Sequence, residues 1–215
     1  MYVPAHFSAD DDSVHDLLSQ NQAADLVTAG PDGLEATMLP FLYDRERATL
    51  QGHFARNNDH WRHADGREAL VIVRGPDSYV TPSWYASKAE HGRVVPTWNY
   101  VVAHVHGTVT IHDDVDWLDD LVRRLTDHHE GRRPIPWSVD DAPPKFVEGQ
   151  LRAIVGVEVA ITRVEAKFKL SQNRPEADVD GVVAGLRSEG DELGADAVQA
   201  HRPEPSRRIG RSGTR

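Results

Sequence analysis

GHFARNNDHWR (52–62) places His53, Arg56, Asn57 and Asn58 between an apolar run and a polar segment of helical character. At a strand-to-helix junction, free backbone N–H groups and the helix dipole favour an anion. A guanidinium there adds a two-pronged phosphate partner. An ordinary polar helix cap is the competing reading. KFKLSQNR (167–174) gathers Lys167, Lys169, Gln172 and Arg174 as donors at a strand end, or as a solvated turn. TPSWYASKAEHGRVVPTWNY (81–100) packs Trp84, Tyr85, Trp98 and Tyr100 beside Ser83, Lys88, Thr97 and Asn99. Flat rings with small hydroxyls and cations suit a flat, charged ligand. A core strand would want Val, Ile and Leu instead. His104 and His106 share a strand face in an H-x-H pattern, which reads as a half-exposed face and not as a metal site.

Composition narrows the chemistry. The 215 residues contain no cysteine, which excludes disulfides, thiolate metal sites and thiol nucleophiles. No Walker loop, dinucleotide-type glycine fingerprint or nucleophile elbow occurs. The net charge is −10; residues 202–215 hold five Arg and one Glu, so residues 1–201 carry −14. Such a body repels phosphates at long range, so a phosphate needs a local cation cluster and nucleic acid is a poor partner. No apolar run is long enough to span a membrane. The start, MYVPAHFSADDD, lacks the pattern of a secretory signal, so a cytoplasmic address is expected.

These groups must be positioned by strands. Strands are expected at 24–30, 34–44, 48–54, 68–75, 100–113 and 155–170, with Pro40 marking an edge or bulge and turns at 30–33 and 75–78. From 101 to 111, Val101, Ala103, Val105, Val109 and Ile111 alternate with His104, His106, Thr108 and Thr110, the period of a strand with two unlike faces. Helices are expected at 10–22, 57–65, 113–131, 143–154 and 175–194. Six or more strands with short turns and peripheral helices predict a mainly β protein, an antiparallel barrel closed or nearly so. The expected organisation is a single domain over 1–194 and a disordered basic tail over 195–215.

MYVPAHF at the start, DGLEATMLPF (32–41), GHFARNNDHW (52–61), GPDSYVTPSWYASKAEHGRVVPTWNY (75–100) and KLSQNR (169–174) together resemble the PaiB family. That family lies in the FMN-binding split-barrel superfamily, related to pyridoxamine 5′-phosphate oxidases. The resemblance implies a six-stranded antiparallel split β-barrel, a homodimer, and FMN in a groove at the dimer interface. By the same resemblance, the strand bearing Thr37 and Pro40 would lie along the isoalloxazine, and His53, Arg56, Asn57 and Asn58 would take the phosphate. Ser83, Trp84, Tyr85, Lys88, Thr97, Trp98 and Asn99 would line or support the site, and Lys169, Gln172 and Arg174 complete the implied cofactor-binding set. The expected function is flavin binding with possible oxidoreductase activity. The alternatives are a negative transcriptional regulator acting directly or indirectly on DNA, as the family label implies, and a haem-binding split barrel.

Overall fold

The computed structural model describes residues 1–20 and 23–202. Its strands are β1 (Ala24–Gly30), β2 (Gly33–Leu39), β3 (Leu42–Asp44), β4 (Thr49–Ala55), β5 (Glu68–Val80), β6 (Thr97–His112) and β7 (Ile154–Lys169). They form one antiparallel sheet in the order β2-β1-β5-β6-β7-β4-β3, which does not close into a barrel. The helices are α1 (Asp11–Gln20), α2 (His60–Ala64), α3 (Ser87–His91), α4 (Val115–Glu130), α5 (Pro144–Leu151), α6 (Glu176–Ser188) and α7 (Glu192–Ala200). Among the described residues, no helix is long and apolar enough to cross a membrane.

Seven strands replace the expected six. The returning strand breaks at Pro40, which has no N–H for the ladder, so β2 and β3 pair with different partners, β1 and β4. The chain needs Gly52 at that break, because a Cβ there would lie 2.7 Å from the Pro40 carbonyl oxygen. The expected turn at 75–78 is also absent, and β5 runs straight through it. Proline's fixed φ suits extended backbone as well as a turn, so Gly-Pro-Asp-Ser does not by itself dictate reversal. Residues 195–200, expected in the basic tail, belong to α7. The remainder, 203–215, lies outside the described residues.

The chain divides into two compact units. The first comprises 1–2, 9–75 and 102–167. Its core is the inward face of the sheet: Leu26, Leu50, Phe54, Val71, Val73, Val105 and Val157 are essentially fully buried. The alternation along β6 is observed as expected, with Val101, Ala103, Val105 and Val109 buried. α4 begins at Asp114, whose carboxylate accepts from the Trp117 N–H at 2.9 Å.

The second unit comprises 3–8, 76–101 and the chain from 168 onward. α6 is its centre, burying Val179, Val182, Val183 and Leu186. Two glycines one turn apart let the 81–85 segment approach the α6 backbone. A Cβ at Gly181 would sit 1.9 Å from the Trp84 carbonyl oxygen, and one at Gly185 would sit 2.2 Å from the Trp84 ring. The buried Asp178 carboxylate then accepts from the Ser87 N–H at 2.9 Å and the Ser87 hydroxyl at 2.6 Å, which fixes the start of α3.

Gly181→Ala is expected to destabilise the protein by about 1–3 kcal/mol, the usual cost of overpacking. Gly149→Ala, in α5 with open space around it, is expected to be neutral or to stabilise by up to about 1 kcal/mol. Urea unfolding of the two variants provides the comparison.

Candidate functional site

The polar cleft of the first unit is built on β1, β2 and α2. The β1–β2 register opposes Leu26 to Thr37 and Thr28 to Glu35, so Thr28 and Thr37 emerge on the same face of the ribbon. α2 follows β4 and covers that face. Phe54 of β4 points into the core and meets the His60 ring at 5.3 Å between centroids. His60 is buried, and both its ring nitrogens are paired with hydroxyls: Nε2 with Thr28 Oγ1 and Nδ1 with Thr37 Oγ1, each at 2.9 Å. Asn58 closes the network. Its amide N–H donates to Thr37 Oγ1 at 3.2 Å, and its carbonyl accepts from the His60 N–H at 3.0 Å.

Beside this network is an open cleft of about 360 Å³ between Glu35–Thr37 and Asn58–His63. His63 Nδ1 pairs with Glu35 Oε1 at 3.2 Å on its rim. A second cleft, of about 380 Å³, shares His63 and is lined by Gly30, Pro31, Arg62 and Arg67. Burial pulls the His60 pKa below its ordinary 6.5, with the nearby Glu35 carboxylate opposing the shift and His63 reinforcing it. His60 is therefore neutral at pH 7, with one nitrogen donating and the other accepting. With the proton on Nδ1, Thr37 Oγ1 accepts from both His60 and Asn58, and its own O–H is left to donate elsewhere. With the proton on Nε2, Thr37 donates to Nδ1 instead. The imidazole tautomer thus decides whether Thr37 offers a donor or an acceptor to the cleft.

The expected phosphate motif divides between faces. Asn58 joins Thr37 at the cleft, whereas His53, one residue before inward-facing Phe54, lies against α4 and α5. Arg56 is held by the protein itself. Its guanidinium makes a two-pronged pair with Asp113, and it donates to the carbonyls of Arg152 at 2.7 Å and Ile154 at 2.9 Å. The same pair holds the Asp113 carboxyl below its ordinary pKa. Asn57 is exposed, and α2 has only five residues. Pro40 serves as the strand break.

Ser83, Trp84, Tyr85, Lys88, Thr97, Trp98, Asn99, Lys169, Gln172 and Arg174 all belong to the second unit. Trp84 packs on the α6 glycines. Tyr85 is buried with the Arg174 guanidinium 4.5 Å from its ring centre. Lys169 Nζ donates to the Thr97 hydroxyl and to the Trp98 carbonyl, and the Asn99 amide pairs with the Ser171 hydroxyl at 3.1 Å. Gln172 accepts from the Leu170 N–H at 2.7 Å and donates to the Phe168 carbonyl. Lys88 Nζ donates to the Ser83 hydroxyl at 3.1 Å. Trp98 is half exposed, its indole N–H donating to Asp77 at 2.8 Å. Most of these side chains hold this unit's own backbone together.

Sequence reasoning missed His60 and Glu35. His60 lies inside a quoted motif, and the available signal was its i, i+4 spacing from Ala64, the two buried positions of α2.

A family model described as "Putative FMN-binding domain" matches residues 1–163. The chain is 31% identical over 194 residues to "Protease synthase and sporulation protein PAI 2" of Bacillus subtilis (strain 168), covering 88% of this chain and 90% of that protein. Among solved structures, a conserved hypothetical protein of Mycobacterium tuberculosis superposes with a TM-score of 0.59 at 13% identity, over 82% of this chain and 95% of that one. The FAD and heme binding protein of Mycobacterium smegmatis gives a TM-score of 0.54 at 20% identity, over 83% and 79%. At these identities the structures establish the fold, that of split-barrel proteins.

Because His60 holds fewer protons folded than unfolded, stability is fully present above the unfolded pKa near 6.5. It falls as pH drops through that value and levels off below the folded pKa. Urea unfolding at about pH 7.5 and about pH 5.5 should show the loss, and His60→Gln should make it smaller.

Proposed function

Since this chain belongs to the PaiB family and carries its FMN-binding domain, we propose that it binds FMN in the cleft between β2 and α2 as a homodimer and uses it in electron transfer. The observation that carries this reading is the Thr37–His60–Asn58 network on the cleft wall. It presents hydroxyl and amide groups held in place from behind by a buried imidazole. Such a donor and acceptor set fits the polar edge of an isoalloxazine ring. The neighbouring cleft offers Arg67 for the phosphate, beside Arg62, which pairs with Asp59 at 3.0 Å, and His63, which pairs with Glu35; the Arg56 guanidinium is paired with Asp113. When bound, the flavin would supply hydride or single-electron chemistry, while the protein binds it, orients it and excludes water.

The homodimer is supported by the outward face of the same strands. A solvent-facing antiparallel ribbon normally alternates apolar with polar residues. Here Leu34 and Met38 of β2 are 81% and 70% exposed, Ala36 lies exposed between them, and Val27, Leu70 and Ile72 continue the face across β1 and β5. β2 is also a sheet edge. A second copy that covers this face would remove apolar surface from water beside the cleft.

FMN titration followed by flavin fluorescence tests the reading. Thr37→Val should weaken FMN and riboflavin alike. Arg67→Ala should weaken FMN about tenfold, equivalent to about 1.4 kcal/mol, and leave riboflavin unchanged. Met38→Asp should shift sedimentation equilibrium toward the monomer. A protein that ignores flavin and takes up haem with an intense Soret band would overturn the assignment.

A further inference from the structure

Both ring nitrogens of the buried His60 meet hydroxyls, Nε2 that of Thr28 and Nδ1 that of Thr37, each at 2.9 Å. A carboxylate or carbonyl partner can only accept, so it would hold the ring proton on the nitrogen facing it. A hydroxyl donates or accepts, so neither threonine fixes the tautomer of the neutral ring. Asn58, by contrast, has one orientation. Its carbonyl takes the His60 backbone N–H, which can only donate, so its NH₂ group must point at Thr37 Oγ1. One Thr37 lone pair is therefore filled from Asn58 in either tautomer. The Thr37 O–H and its second lone pair remain. One of them serves His60, and the other is left for the cleft that Thr37, Asn58 and His60 all line.

We propose that His60 is a positioning residue that fits Thr37 to both redox states of a flavin in this cleft, an inference that rests on the flavin reading above. When a flavin gains two electrons from a reductant and a proton from solvent, a ring nitrogen on its polar edge changes from acceptor to donor. With the His60 proton on Nδ1, the second Thr37 lone pair receives it, and the Thr37 O–H is free to donate to a bare ring nitrogen. With the proton on Nε2, the Thr37 O–H turns to Nδ1, and the lone pair is free to accept from an N–H. Thr28 keeps the far end paired in both cases, donating to Nε2 in the first and accepting from it in the second. The exchange leaves the imidazole neutral, since one proton leaves Nδ1 for solvent and one reaches Nε2 from it. Burial favours that neutral ring, although the nearby Glu35 carboxylate works against it. A donor of fixed direction would instead face the N–H of the reduced flavin with a second N–H or O–H, and lose the bond.

The test records the ring ¹⁵N resonances of His60 in the full chain with oxidised FMN, and again without air after reduction of the FMN by dithionite. The expected pattern is Nδ1–H in the first state and Nε2–H in the second. Calorimetric titration with each form of FMN gives an independent reading. Thr37→Val should weaken both forms by the same factor, about three- to tenfold, the usual worth of one hydrogen bond. The midpoint potential of the bound FMN should then be unchanged. Thr37→Ser, which keeps the hydroxyl, should retain both affinities. A fixed donor would lose only the oxidised form on Thr37→Val, and a tenfold loss would raise the potential by about 30 mV. That outcome, or one His60 tautomer in both states while its resonances still respond to FMN, would overturn the proposal and leave the flavin site standing. No saturable His60 shift with either form of FMN would overturn the flavin site as well.

Discussion

Burying an imidazole is costly when a ring nitrogen is left unpaired, and His60 has both nitrogens paired only if three segments are in register. Thr28 and Thr37 come from adjacent strands, and His60 comes from the helix that follows β4. Leaving either nitrogen unpaired would cost about 1–3 kcal/mol, so the network resists sliding of β2 against β1 and lifting of α2. Asn58 adds a second constraint by bonding both to the His60 backbone and to Thr37. The polar cleft is the outer surface of this arrangement. Its hydroxyl and amide are held in place before any ligand arrives, which lowers the ordering cost of binding.

The aromatic stretch at 81–100 obeys a different constraint. Its rings and hydroxyls largely secure the second unit: Trp84 needs the two glycines of α6, Ser87 needs Asp178, and Thr97 needs Lys169. A motif rich in Trp, Tyr, Ser and Lys can be dense because it must satisfy many polar groups next to a closely approaching helix. Arg174 over Tyr85 shows the same economy, a cation placed on a buried ring.

The sequence showed what depends on local periodicity. The alternation along β6 and the helix at 113–131, observed as α4, are visible because strand and helix periods are short-range properties. Pro40 signalled an irregularity, and the structure turned that irregularity into a strand break. What could not be read were partners far apart in the chain. Arg56 resembles a phosphate ligand until Asp113, 57 residues away, takes its guanidinium. His53 and Asn58 look like one motif, but β4 sends His53 to one face and the connection to α2 returns Asn58 to the other. His60 was hidden for the same reason, since its two threonines lie 32 and 23 positions earlier.

The central claim is that the flavin occupies the cleft backed by His60. Its most direct test is an FMN titration followed through the ring ¹⁵N resonances of the histidines. The account predicts saturable shifts at His60 and His63, with a tautomer change at His60 reported by its two nitrogens, and no shift at His53 on the opposite face of β4. Saturable FMN binding that leaves the His60 resonances unmoved would contradict it.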